Sequence, residues 1–289
     1  MKIVDCFVFY NELQLLEYRL SILYNVVDYF IIVESRQTFV GKDKELLYEK
    51  NKNKFNKFKD KIIHVVVDLP YKYPNIDYKN KKPFQFKNYN ENGQQWINEA
   101  FQRESITNGF ERISLNDEDY IIVSDADEIP DPNTLSKIKR GEINPFEIYK
   151  LKQDYYKYNL NGLTGAIWIH AYVISYGFFN KYKTIQIPDD KYIYYESGYK
   201  FIINNNRRMF LTELRFTFDY DGISVLENGG WHLSFFGDRK FIDNKYDSFS
   251  HVEYEREYNK KNDQLLSIKT NSYLPHRFEK YLPNFIMKW

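Results

Sequence analysis

The stretch Tyr120-Ile121-Ile122-Val123-Ser124-Asp125-Ala126-Asp127-Glu128-Ile129-Pro130 runs an apolar segment into three acidic side chains and stops at a proline. Side chains two apart on a strand point to the same side, so Asp125 and Asp127 are placed to converge on one ion, while Ala126 faces away. Carboxylate oxygens are preferred ligands of hard divalent cations, which keep coordination positions open for substrate phosphates. The same residues would also suit a plain acidic strand end feeding a helix, where Asp and Glu stabilise the first turn.

A second polar cluster favours the ligand reading. His232, one of five histidines, lies in Gly229-Gly230-Trp231-His232-Leu233-Ser234, where two glycines permit close backbone approach. A lone strand histidine is usually structural, but two carboxylates and an imidazole together suit Mn²⁺ or a similar ion better than Ca²⁺. His251 is the competing ligand; its bland role is to line a helix face.

These residues need a scaffold, and the apolar pattern predicts one. A strand over residues 2–9 leads through Asn11-Glu12, with Asn11 as a helix cap, into a helix carrying Leu13, Leu16, Leu20 and Leu23. A second strand, 26–33, ends at Glu34-Ser35, and strand, helix, strand in this order predicts a right-handed parallel crossover. A solvated helix is expected over 42–61, a third strand over 62–67, and a helix over 96–108 stopped by Gly109. Residues 71–92 read as a long loop, of a kind that often serves as a lid or binding loop, and the fourth strand delivers Asp125, followed by a short helix over 132–139. Repeated passes ending in acidic residues predict a mostly parallel sheet with its ligand site at the carboxyl edge. From residue 146 the text becomes strand-like, with a strand near 229–236 and a helix from Arg239 to about Lys260. No linker divides the chain, so the expectation is a single domain, 1–289, with a nucleotide-binding half over 1–140 and an acceptor half over 141–289.

Composition narrows the partners. The 289 residues carry 41 Lys+Arg against 40 Asp+Glu, so neither nucleic acid nor an anionic membrane finds a basic excess. The one cysteine, Cys6, excludes an internal disulfide and fits a reducing, cytoplasmic setting. No signal peptide and no membrane span are predicted.

Several motifs in fixed order resemble glycosyltransferase family 17, which includes the animal bisecting β-1,4-N-acetylglucosaminyltransferases. They are Asp5-Cys6-Phe7 with Phe9-Tyr10-Asn11-Glu12-Leu13, Leu16-Glu17-Tyr18-Arg19-Leu20, Val27-Asp28-Tyr29-Phe30, Val33-Glu34-Ser35, and Thr38-Phe39 with Gly41-Lys42. Trp96, Arg103, the Asp125 to Pro130 motif and Gly230-Trp231-His232 with Ser234 extend the resemblance across residues 3 to 255. The missing anchor and single cysteine are similar to bacterial or viral members. The resemblance implies an α/β fold of the GT-A type, with a mostly parallel central sheet and a mixed C-terminal lobe. It further implies inverting transfer from a UDP-sugar, UDP-N-acetylglucosamine first, to a glycan acceptor.

The residues then take roles. A divalent metal, Mn²⁺ or Mg²⁺, on Asp125, Asp127 and His232 would act as a Lewis acid on the UDP leaving group. Asp125 would otherwise reach the ribose hydroxyls. Glu34 would accept hydrogen bonds from uridine, as strand-edge acids do in other nucleotide folds. Arg103 would contact the diphosphate or lock Glu128 in an ion pair, and Asn11 completes the donor-binding candidates. Glu128 and Asp238 are the candidate catalytic carboxylates, and Trp231, Trp168 and Tyr155 the candidate sugar-stacking rings. A Ca²⁺-dependent carbohydrate-binding protein is the non-enzymatic alternative. An aspartyl phosphatase fits less well, because Ile129 stands where that class expects Thr or Val.

Overall fold

A computed structural model describes residues 1–76, 93–144, 147–160, 162–183, 202–203, 207–217 and 222–251. The predicted loop beyond residue 76 and the tail beyond residue 251 lie outside the described residues.

The first half alternates strand and helix: β1 (Ile3–Phe9), α1 (Leu13–Leu23), β2 (Tyr29–Ser35), α2 (Leu47–Asn51) with a 3₁₀ helix over Lys52–Lys61, β3 (Ile62–Val67), α3 (Gln94–Glu104), α4 (Thr107–Phe110) and β4 (Tyr120–Asp125). After β4 come β5 (Glu128–Pro130), α5 (Pro132–Lys139), β6 (Ile148–Lys157), β7 (Leu163–Trp168), β8 (Tyr172–Ser175) and α6 (Tyr176–Tyr182). A two-stranded ribbon, β9 (Ile202–Ile203) and β10 (Arg207–Arg208), precedes α7 (Phe210–Arg215), β11 (Ile223–Ser234) and α8 (Arg239–Tyr246).

Nine strands form one sheet in the order β3-β2-β1-β4-β8-β6-β11-β5, with β7 paired to β6. The first four run parallel. Their cores, Ile3 to Phe7, Phe30 to Val33 and Ile121 to Val123, are unbroken apolar runs save for Asp5, and they are fully buried because helices cover both faces. The later strands are mixed, with β4–β8, β8–β6 and β11–β5 antiparallel and β6–β11 parallel. The sheet therefore runs without a break across residue 140.

Local chemistry explains the departures from expectation. The predicted helix over 42–61 is a short α-helix continued as a 3₁₀ helix, in which Tyr48, Phe55 and Phe58 bury one edge and lysines face out. Gly109 sits inside α4 and does not stop a helix: a Cβ there would meet the Ile31 side chain at 2.6 Å, so glycine lets the turn approach β2. Gly230, at φ +127°, would place a Cβ 2.0 Å from the Ile129 carbonyl oxygen. Glycine is thus required where β11 closes on β5 beside the site. Asn11 is not the cap of α1, which begins without a side-chain cap, and α8 ends at Tyr246, well short of Lys260. Among the described residues no helix is long and apolar enough to cross a membrane.

Candidate active site

The carboxyl ends of β1, β2 and β4 open into a cleft of about 490 Å³, walled opposite by α3, α7, the end of β11 and α8. This is the edge at which open parallel sheets present ligands.

The turn that carries the acidic motif is built from beneath by Arg19 of α1. Its buried guanidinium donates to both Asp5 oxygens at 2.7 and 2.6 Å and to Ser124 Oγ at 2.7 Å. Nη1 donates to the backbone carbonyls of Asp125 at 2.8 Å and Glu128 at 3.1 Å. The chain therefore turns at Ala126-Asp127 and does not continue as a strand; β5 begins at Glu128, which pairs with His232. Residues two apart are not on one strand here, and Asp125 and Asp127 do not converge.

Each acid instead meets its own cation. Asp125 Oδ1 accepts from Arg103 at 2.9 Å and Oδ2 from Arg215 at 2.7 Å. Burial pushes the Asp125 carboxyl up, but the two guanidinium groups outweigh it and hold the group below the usual range. Asp127 Oδ2 accepts from Lys245 Nζ at 2.7 Å, while Oδ1 stands 3.6 Å from His232 Nε2. There too burial is outweighed, by Lys245 first and His232 second, and Asp127 stays ionised well below the ordinary carboxylate range.

Glu128 is fully buried beneath the cleft. It accepts a two-pronged bond from Arg215 at 2.8 and 2.7 Å, the Trp168 indole N–H at 2.6 Å and the Asp125 backbone N–H at 2.9 Å. With its oxygens spent on these donors, Glu128 is a positioning residue, not an accessible base. Asp238 does not reach the cleft either: it is exposed and caps α8 by accepting from Phe241 N at 2.8 Å. That cap orients the helix that delivers Lys245.

Glu34 is also buried away from the cleft. It accepts from Tyr48 N at 3.2 Å and faces His64 Nε2 at 3.0 Å and Lys44 Nζ at 3.7 Å, so it anchors α2 and Lys44 where uridine was expected. Arg103 does line the cleft, and its partners are Asp125 and Glu99, not Glu128. Its Nε and Nη1 are buried with no hydrogen-bond partner among the described residues. Asn11 bonds Asn244 at 3.0 Å and ties the start of α1 to α8. Of the two histidines, His232 stands beside Asp127, whereas His251 packs edge-on against Trp96 at 4.6 Å. The His232 ring meets those of Tyr155 at 4.7 Å and Trp168 at 4.0 Å, which also meet each other at 5.0 Å, and Trp231 is buried in the core.

Comparison with known proteins settles the family. The profile described as glycosyltransferase family 17 matches residues 1–202. The chain belongs to glycosyltransferase family 17. The matched segment holds β1 to β4 and the Asp125 to Pro130 motif, while Arg215, His232 and Lys245 lie beyond it. No curated protein sequence matches the chain. Among solved structures, 4-diphosphocytidyl-2C-methyl-D-erythritol synthase from Anaerococcus prevotii DSM 20548 is similar at 10% identity, over 87% of this chain and 99% of that one, with a TM-score of 0.35. So loose a likeness supports no argument.

Whether this glycosyltransferase offers a metal ligand set can be tested on the side chains. Among the described residues no three His, Cys, Asp or Glu side chains group tightly enough to hold an ion alone. Asp125 has both oxygens committed to arginines. What remains is the pair Asp127 Oδ1 and His232 Nε2, whose 3.6 Å separation is too long for a hydrogen bond. Two adjacent ligands about 2.1 Å from an octahedral ion stand about 3.0 Å apart, so the pair would share such an ion after closing by about half an ångström. Such a two-donor site would draw its other ligands from substrate phosphates and water.

Three residues of the glycosyltransferase cleft escaped the sequence reading. Arg215 sits on α7, in a segment that read as strand-like, and Lys245 is one lysine among many. His170 lines the cleft uncharged, because burial first and the Arg215 charge second lower its pKa to about 3.

Glu104 fixes α7. Its carboxylate accepts from Leu211 N at 3.2 Å and Thr212 N at 2.7 Å, and burial raises its pKa to about 7. A carboxyl whose folded pKa exceeds its unfolded one gives stability that is complete below the unfolded value and lost as pH rises through the folded value. Glu104→Gln should therefore gain on the wild type between pH 5 and pH 8, by up to about 3 kcal/mol. Urea unfolding at both pH values measures the change; a pH-independent difference would contradict the assignment.

Proposed function

We propose that this family 17 enzyme has a GT-A type nucleotide-sugar fold and transfers a sugar from a UDP-sugar to a hydroxyl group of a glycan. N-Acetylglucosamine is the first candidate sugar, and transfer proceeds with inversion by direct displacement. The reading rests on Asp127, at the carboxyl edge of the parallel strands, with one oxygen facing His232 and the other Lys245, in a cleft that Arg103 also lines. A nucleoside diphosphate leaving group needs cationic and hydrogen-bonding partners at that edge.

Asp127 and His232 would hold the divalent ion, Mn²⁺ or Mg²⁺, which when bound supplies Lewis-acid neutralisation of the diphosphate. Arg103 offers phosphate oxygens its Nε and Nη1, which have no partner among the described residues. Arg215, clamped between Asp125 and Glu128, keeps both acids oriented and, together with Arg103, balances their charge. Trp168, locked by its bond to Glu128, offers a ring at the cleft on which a sugar can stack.

A panel of nucleotide sugars, assayed for UDP release with Mn²⁺, tests this. A donor present at one hundred times its Kd should also raise stability by about 2.7 kcal/mol, read as a thermal shift. If no nucleotide sugar is consumed and none stabilises the protein, the proposal fails.

A further inference from the structure

Lys245 reaches the acidic motif from α8, an element far from it in sequence. Asp125 already has two arginines, and the Asp127–His232 pair could share an ion after a small closure. Yet the chain brings a lysine from the last turn of α8 into the cleft, leaving its side chain only 14% exposed. Its ammonium donates to Asp127 Oδ2 at 2.7 Å and lies 3.4 Å from Glu12 Oε1. Ordering and desolvating a lysine is costly, so such a placement calls for a reason.

Three features of the geometry supply it. An ammonium has three donors, and the contacts to Asp127 and Glu12 account for two among the described residues. Asp127 turns its other oxygen toward His232, so an anion bridging that side comes within reach of the Lys245 head group. The approach of α8 is also constrained: Phe235 adopts φ +60°, a conformation rare for an aromatic residue, just where the chain leaves β11. Asp238 then caps the helix, and Tyr10 bonds Asn244 and Ser248 at 2.7 and 2.8 Å, pinning its far end to β1. The backbone strain and the cap together hold the lysine over the acid.

We infer that Lys245 is a catalytic residue that donates a hydrogen bond to the leaving diphosphate, using Asp127 and Glu12 as its holder until the donor arrives. The inference rests on the proposed transfer. In that step the bond from the anomeric carbon to the diphosphate oxygen breaks, with its electron pair going to the diphosphate. A bond from the acceptor hydroxyl oxygen to the anomeric carbon forms, and the hydroxyl proton passes to solvent. Lys245 stays protonated throughout and stabilises the charge that builds on oxygen. A lysine ammonium paired with two carboxylates is an ordinary cation at neutral pH. The competing role is a structural strap between α8 and the sheet edge.

The test separates these roles. In Lys245→Met and Lys245→Gln, kcat for UDP release with saturating Mn²⁺ should fall about 10²- to 10³-fold, with Lys245→Arg retaining more activity than either. A strap would lower the midpoint of thermal unfolding and leave kcat of the folded fraction intact, which would overturn the inference. A measurement on the wild-type protein guards against variants that do not fold. In chelator, calorimetry should show UDP binding at least about tenfold more tightly than uridine, because the resident cations hold the diphosphate without a metal. Equal affinity for UDP and uridine would overturn the inference. Wild-type protein that consumes no nucleotide sugar would instead defeat the proposed function on which it stands.

Discussion

Asp127→Asn is expected to lower kcat/KM for nucleotide-sugar turnover about 10³-fold while the protein remains folded. The substitution keeps the shape and removes one charge. It thereby weakens both groups that this carboxylate holds, Lys245 at 2.7 Å and the ion position shared with His232 at 3.6 Å. Losing one preorganised electrostatic partner of a leaving group costs about 10²- to 10³-fold, and here two are affected. Folding should suffer less, because the amide oxygen can still accept from Lys245 and Glu12 remains beside it. The carboxyl is already ionised far below neutral pH, so its contribution to stability is present above about pH 4 and is lost only as pH falls further. A double variant, Asp127→Asn with Lys245→Met, should be much less impaired than the product of the two single losses, since groups acting as a unit are not additive. Activity within tenfold of wild type in Asp127→Asn would remove Asp127 from the centre of the site.

The sequence shows the acidic motif because an apolar run ending in acids is a local signal, and it shows the parallel half because buried strands are continuous apolar runs. It does not show how the acids are disposed. The turn at Ala126-Asp127 depends on carbonyl bonds from Arg19, over a hundred residues away, and no periodicity rule reaches that far. Asn11, Glu34 and Asp238 illustrate a second limit. Each is a polar residue at an element end, and the same residue type serves as cap, anchor or site group according to which donors fold onto it. His64 and the Tyr48 backbone take Glu34, and the Phe241 N–H takes Asp238. Arg215 and Lys245 were invisible because a cation on a short helix carries no mark until its acidic partner is located. The glycine pair before His232 could be read as a close approach, and Gly230 indeed packs against the Ile129 carbonyl.

The largest effect on stability is expected at Arg19, a residue that touches no substrate. Arg19→Met should destabilise the protein by about 3 to 5 kcal/mol, since it leaves Asp5 buried and ionised without a partner. Against a total of about 5 to 15 kcal/mol, that removes much of the margin. Methionine would retain some packing on Phe7, whose ring lies 4.1 Å from the guanidinium, so the loss is chiefly electrostatic. Arg19→Lys should recover little, because one ammonium cannot span Asp5, Ser124 and the carbonyls of the turn. The informative variant is Arg19→Met combined with Asp5→Leu. Replacing both members of a buried ion pair by apolar groups is often neutral, so guanidinium unfolding should return close to wild type. Activity should not return with it, because the carbonyls of Asp125 and Glu128 would still lack their donor and the turn would no longer hold Asp127 against Lys245. Recovery of both properties would mean that Arg19 serves only to neutralise Asp5. Recovery of stability alone would show that one buried guanidinium supports the fold through Asp5 and the chemistry through the turn.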